Sequence, residues 1–163
     1  MTILPQVAIY TDGACTGNPG PGGYGVVLHS GPYNKELSGG YRLTTNNRME
    51  IMAAIAGLEA LTQRCQVTVY TDSQYLANAI SQGWARKWQA NNWQRTRTEK
   101  AINADLWQRL LGQLDHHQVS FQWIRGHNGD PNNERCDRLA VQAARQPNLP
   151  PDPGYALPSS ARF

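Results

Sequence analysis

The 163-residue chain has no apolar run approaching the roughly 18 residues that a bilayer-spanning helix requires. Its first residues, Met-Thr-Ile-Leu-Pro-Gln, carry neither the basic nor the apolar stretch of an export signal, so a cytoplasmic location and no membrane partner are expected. Cysteine is scarce. Cys15, Cys65 and Cys136 are odd in number, widely spaced and without a Cys-x-x-Cys pair. This argues against a disulfide partner or a thiolate zinc site and fits a reducing compartment. Cys65 and Cys136 flank apolar runs and read as small buried hydrophobes, whereas Cys15 lies close to Asp12 and is expected to line the same site. The glycine-rich stretch 18–25 lacks the Gly-Lys-Ser/Thr of a phosphate loop, and Pro19 and Pro21 remove amide donors there. A ligand-binding flavodoxin-like domain, which needs such a loop, is disfavoured. No internal repeat is visible, and nothing signals an oligomer, so a monomer is the default.

The length suits one domain with a substantial core, and a hydrophobic content of 40% is ordinary for a globule. The net charge of +3 is unevenly spread: residues 81–100 hold Arg86, Lys87, Arg95, Arg97 and Lys100 against Glu99 alone, which leaves the rest of the chain slightly acidic. Concentrated basic charge points to a polyanion met at one place.

β-Branched and aromatic runs predict strands over 7–11, 24–29 and 35–43, joined as an antiparallel meander, with 13–25 as a long turn-rich connection. Thr44 or Thr45 caps a helix running to about residue 61, with apolar residues on several faces. A strand over 67–71 follows, parallel to the first. Short helices are expected over 73–82 and 84–93, broken at Gly83, then a helix over 103–114, a last strand over 119–124 and a helix over 132–145. Five of the ten prolines fall in 147–163, and the stretch from 146 onward reads as a disordered tail.

Within this pattern four carboxylates are hard to explain structurally. Asp12 and Asp72 close two strands in matching contexts, Tyr10-Thr11-Asp12-Gly13 and Tyr70-Thr71-Asp72-Ser73. Glu50 sits inside an apolar helix, and Asp137 lies on the last one. Carboxyl ends of strands in open α/β sheets gather function, and buried acids need a partner. Clustered, the four would repel one another, which implies bound cations; hard oxygen donors select magnesium, with manganese as a substitute, over zinc. Two divalent ions would balance four carboxylates, the arrangement used to cleave phosphodiesters. His127, between two glycines of a loop, is placed to move a proton.

A substrate face is legible too. Trp84, Trp88 and Trp93 interleave with the basic residues, either packing a helix onto the body or forming an aromatic and cationic platform for a nucleic-acid backbone. Asn18, Thr45, Asn46, Asn47, Gln74 and Asn103 are neutral groups suited to sugar hydroxyls, base edges and phosphates.

Tyr10-Thr11-Asp12-Gly13, the run Gly17 to Gly25, Thr44-Thr45-Asn46-Asn47-Arg48-Met49-Glu50, Thr71-Asp72-Ser73-Gln74-Tyr75 and Gly126-His127 with Asn133-Glu134-Arg135-Cys136-Asp137 together resemble the bacterial type 1 ribonuclease H family, ribonuclease HI. The resemblance covers about residues 3–145. It implies an α/β ribonuclease H-like fold: a mixed five-stranded sheet, antiparallel meander plus parallel strands, flanked by helices. It implies endonucleolytic cleavage of the RNA strand of RNA/DNA hybrids, leaving 5′-phosphate and 3′-hydroxyl ends. Asp12, Glu50, Asp72 and Asp137 would be the ligands of two magnesium ions, His127 an auxiliary. Residues 1–145 would be the catalytic domain, 81–100 a basic protrusion gripping the DNA strand, and 146–163 the tail. Three features depart from the family pattern: Gln89-Ala90-Asn91-Asn92 replaces a basic run, with charge shifted to Arg95 and Arg97; Gly83 is an added residue; and Leu43 stands where an arginine often helps hold a phosphate. Related nucleases acting on DNA share such acidic clusters and remain an alternative, as does a hybrid-binding module without catalysis.

Overall fold

A computed structural model of the chain describes residues 3–126 and 128–155. β1 (Gln6–Cys15), β2 (Gly20–Ser30) and β3 (Tyr33–Thr44) form the antiparallel meander, followed by α1 (Asn46–Glu59). Next come β4 (Gln66–Thr71), α2 (Gln74–Ser81), α3 (Trp84–Ala90), α4 (Ala104–His116), β5 (Gln118–Trp123) and α5 (Pro131–Ala144). The strand order is β3-β2-β1-β4-β5, with β4 parallel to β1 and β5 parallel to β4. Among the described residues no helix is long and apolar enough to cross a membrane.

The expected long connection over 13–25 is instead mostly strand. Gly13 pairs with Tyr24, Ala14 with Gly23 and Cys15 with Gly22, so only residues 16–19 turn. Glycine weakens strands and therefore reads as a turn, but here it meets a packing demand. A Cβ on Gly25 would lie 2.2 Å from the Cys136 carbonyl oxygen, and one on Gly23 would lie 2.4 Å from that of Ala140. α5 thus rests directly on the β2 backbone at Gly23 and Gly25, where any side chain would collide with it.

α1 covers the opposite face. Thr45 caps it, its hydroxyl accepting from the Arg48 amide at 3.2 Å. Met49, Ile51, Met52, Ala53, Ala54, Ile55 and Leu58 are buried against the sheet and against α4, as an all-round apolar helix requires. Trp107 of α4 fills the centre of this core, 5.5 Å from Tyr75 and 6.4 Å from Trp88 between ring centroids. α3 stops at Ala90, short of the expected end, because Asn92 and Trp93 take positive φ, and the Trp93 amide folds back to the Trp88 carbonyl. Cys65 and Cys136 are buried, and all three thiols are free.

The expectation of a disordered tail from 146 is corrected for residues 146–155. The Pro150 carbonyl accepts from the Arg42 amide at 2.9 Å. Asp152, 7% exposed, accepts from Arg48 Nε at 2.7 Å and from Thr44 Oγ1 at 2.8 Å. Arg48 is itself 1% exposed and also donates to both carboxylate oxygens of Asp105, at 2.9 and 2.7 Å. Proline-rich composition suggested disorder, but one buried arginine on α1 needs this carboxylate. Removing a partner from such a buried pair costs on the order of 3–5 kcal/mol. Residues 156–163, the rest of the expected tail, lie outside the described residues.

Two glycine substitutions separate the packing demand from ordinary propensity. Gly25→Ala should destabilise by about 1–3 kcal/mol in urea unfolding, because the new methyl meets the α5 backbone. Gly112→Ala on α4, where nothing lies within 4 Å of the added Cβ, should stabilise by about 0.5–1 kcal/mol.

Candidate active site

The site forms where β1 and β4 diverge. The last parallel pair between them is Tyr10 with Tyr70, and the Thr11 hydroxyl donates to the Tyr70 carbonyl at 3.1 Å. Asp72 follows β4 directly. Asp12 was expected at a strand end but lies inside β1, because β1 runs on to Cys15 in its pairing with β2. The Trp123 indole NH at the end of β5 donates to the Asp72 carbonyl at 3.1 Å, and the Ser73 hydroxyl caps α2, so the Asp72 backbone is fixed from both sides.

Glu50 enters from α1 because residue 13 is glycine. A Cβ there would lie 2.7 Å from the Glu50 nitrogen and 2.8 Å from the Met49 carbonyl carbon. With that contact open, carboxylate oxygens of Asp12, Glu50 and Asp72 come within 4.8 Å of one another. Asp137, half-buried on α5, bears on Asp12 electrostatically but is not one of these three. Gly126 leans on Asp72: a Cβ at 126 would meet its Oδ2 at 2.7 Å. His127 lies outside the described residues.

The electrostatics follow from crowding. Burial, then the Asp72 charge, push the Asp12 carboxyl up to about 7, against the Gly13 amide hydrogen bond of 2.9 Å. Burial, then Asp12 and Asp72, hold Glu50 well above the ordinary carboxylate range. Among the described residues Glu50 Oε2 is buried without a hydrogen-bond partner. Hard oxygens, mutual repulsion and an orphaned lone pair fit a divalent cation.

Around the carboxylates the neutral groups gather at the N-terminus of α1. Asn18 Oδ1 accepts from the Asn46 amide at 3.0 Å, and the Cys15 thiol points to the Thr44 carbonyl at 3.4 Å. Thr45 and exposed Asn47 adjoin them, and Gln74 opens α2 two residues after Asp72. Asn103 precedes α4 and reaches the first turn of α1. Its side chain accepts from Arg48 Nη1 at 3.3 Å and donates to the Tyr75 hydroxyl at 3.2 Å. In the protrusion Trp88 and Trp93 pack on the core, while Trp84 is 41% exposed. Arg86 pairs with Asp115 and Arg95 with Glu99; Lys87 and Arg97 are exposed with no ion pair among the described residues. A groove of about 580 Å³ runs between Trp84, Lys87, Asn91 and Arg95. Arg42, the arginine nearest the position held by Leu43, is exposed. Gly13, Trp123 and Gly126 carry no chemistry of their own and gave no sequence signal as site residues; a strand-end Asp-Gly was the only hint of a close approach.

Residues 5–145 match the family model described as RNase H. The chain is 64% identical over 150 residues to a ribonuclease H of Syntrophus aciditrophicus, covering 92% of this chain and 87% of that one. It is 51% identical over 158 residues to a ribonuclease H of Klebsiella pneumoniae, covering 97% and 100%. Among solved structures, LC9-RNase H1, a type 1 RNase H with the type 2 active-site motif, superposes with a TM-score of 0.78 at 31% identity, over 88% of this chain and 74% of that one. LC11-RNase H1 in complex with an RNA/DNA hybrid superposes with a TM-score of 0.65 at 26% identity, over 85% and 96%.

The raised carboxyls set a pH dependence for the cation-free protein. The folded state keeps a proton on Asp12 up to about pH 7, while the unfolded state releases it near 3.8. The folded state therefore binds more protons between these values, and stability falls as pH rises through them. Melting temperatures in chelator should drop from pH 5 to pH 8. In Asp12→Asn the drop should shrink, and the variant should melt above the wild type at pH 8.

Proposed function

As a member of the ribonuclease H family, to which the chain belongs, this protein is, we propose, an endonuclease that hydrolyses the RNA strand of RNA/DNA hybrids, leaving 5′-phosphate and 3′-hydroxyl ends. The observation that carries the reading is the convergence of Asp12, Glu50 and Asp72, whose carboxylate oxygens lie within 4.8 Å of one another. A hybrid lies in the complex of the related LC11-RNase H1.

Asp12, Glu50 and Asp72 would hold the cations, with Asp137 completing the set from α5. Two divalent cations held there, magnesium or manganese, would supply Lewis-acid chemistry to phosphodiester hydrolysis. The carboxylates fix where the scissile phosphate sits, because an anion approaches them only in company with the cations. His127 would accept or return a proton as the product leaves. Cys15, Asn18, Thr45, Asn46, Asn47 and Gln74 offer thiol, hydroxyl and amide groups to sugars and base edges, including the 2′-hydroxyl that separates RNA from DNA. Asn103 supports this face through Arg48 and Tyr75. The protrusion over 81–100 would lie along the DNA strand, with Trp84 at the backbone and Lys87 and Arg97 at phosphates. Arg86, Lys100 and Arg95 are secondary there; Arg86 and Arg95 already have carboxylate partners. The catalytic unit would span residues 1–145, acting as a cytoplasmic monomer.

The test is cleavage of a uniform RNA/DNA hybrid with and without magnesium, beside single-stranded RNA, duplex RNA and duplex DNA. Cutting of the RNA in the hybrid alone, dependent on the cation and abolished in Asp72→Asn, is expected. Cutting of duplex DNA would move the protein to the DNA-acting relatives, and binding without cutting would leave a recognition module.

The protrusion gives a separate expectation. Each phosphate contact contributes about 0.9 to the slope of log affinity against log salt. Lys87→Ala with Arg97→Ala should lower that slope by roughly 2. Arg95→Ala alone should change it little, since Glu99 already answers that charge. An unchanged slope in the double variant would remove the protrusion from the interface.

A further inference from the structure

Asp152 stands 108 residues from Thr44 and 104 from Arg48, yet it closes on both. Its Oδ2 accepts from Thr44 Oγ1 at 2.8 Å and from Arg48 Nε at 2.7 Å, and its Oδ1 accepts from Arg48 Nη2 at 3.0 Å and from the Gly154 amide at 3.3 Å. The Arg42 amide, two residues before Thr44, donates to the Pro150 carbonyl at 2.9 Å. Residues 150–154 therefore form a strap that grips the end of β3 and the first turn of α1 together.

What the strap holds is the neutral polar face. Thr44 is followed by Thr45, which caps α1, and by Asn46, whose amide anchors Asn18. The Thr44 carbonyl receives the Cys15 thiol. Arg48 is two residues from Glu50 on the same helix. A cation at the first turn of a helix is electrostatically misplaced, since the exposed amides there carry partial positive charge. Arg48 is tolerated because Asp105 and Asp152 accept its hydrogen bonds; burial opposes its charge, and these bonds more than offset the penalty. Asp105 is 42% exposed in its side chain and Asp152 only 5%, so Asp152 is the carboxylate that fixes the geometry from within.

We propose that Asp152 is a positioning residue for hybrid recognition: through Thr44 and Arg48 it sets where Cys15, Asn18, Thr45 and Asn46 stand relative to the carboxylates. The proposal rests on the functional reading above. It assigns to the C-terminal strap a role in substrate affinity, separate from the chemistry, because the strap touches the recognition face and none of the three clustered acids.

The experiment compares wild type, Asp152→Ala, Thr44→Val and the double variant, all checked for folding by circular dichroism well below their melting temperatures. Affinity for a fluorescent RNA/DNA hybrid is measured in chelator, and KM and kcat in magnesium. Each single variant should weaken hybrid binding and raise KM by about fivefold, with kcat within twofold of wild type. The double variant should be no worse than Asp152→Ala, since both substitutions cut one linkage. Thr44→Val leaves the Arg48–Asp152 pair intact, so it keeps the question open to an answer if Asp152→Ala does not fold. Single variants that only melt earlier, with hybrid affinity and KM unchanged, would overturn the proposal and leave the strap a stability element. A wild type that neither binds nor cuts the hybrid would overturn the functional reading and this proposal with it; a wild type that cuts while the variants bind equally well would overturn this proposal alone.

Discussion

Everything at this site depends on how closely α1 can approach β1. The missing side chain at Gly13 lets the Met49–Glu50 backbone come within a distance that any Cβ would forbid. Glu50 is thereby driven into the space that Asp12 and Asp72 already occupy, and the rest of the fold must absorb the repulsion. The tight ladder between β1 and β4, the threonine tie from Thr11 to the Tyr70 carbonyl, and the Trp123 bond to the Asp72 carbonyl all keep the backbones in place while the side chains oppose one another. Carboxyls in that position either take up protons, as the raised values of Asp12 and Glu50 indicate, or share a cation.

The protein buries ionisable groups in two places on the same helix, Arg48 and Glu50. Arg48 is enclosed but fully answered, with five side-chain hydrogen bonds to Asp152, Asp105 and Asn103. Glu50, two residues on, has its Oε2 buried without a hydrogen-bond partner among the described residues. A satisfied buried ion pair ties elements together, whereas an unsatisfied buried carboxyl calls for another explanation, such as a bound ion. α1 thus carries, two residues apart, a fully paired arginine and a crowded carboxyl.

Much of this was legible in the sequence. The strands announced themselves by β-branched and aromatic runs, α1 by its periodicity and threonine cap, and the acids by sitting where acids cost energy. The misreadings have physical causes. Gly23 and Gly25 looked like turn residues because their reason for being glycine is α5, more than a hundred residues away. Nothing local in the sequence reveals that the Asn103 side chain bonds Arg48 and Tyr75. The segment 146–155 looked disordered because proline content says nothing of a buried arginine that needs Asp152. In each case the deciding contact is long-range, and local pattern cannot carry it.

The most direct measurement is calorimetric titration of the substrate-free protein with magnesium or manganese at pH 7, repeated in buffers of different ionisation enthalpy to count protons released. If crowding has raised the carboxyls and a cation relieves it, binding should expel a fraction of a proton or more, and Asp12→Asn should both weaken binding and reduce that number. Binding without proton release, or equal binding by Asp12→Asn, would mean that the three acids are not the cation site.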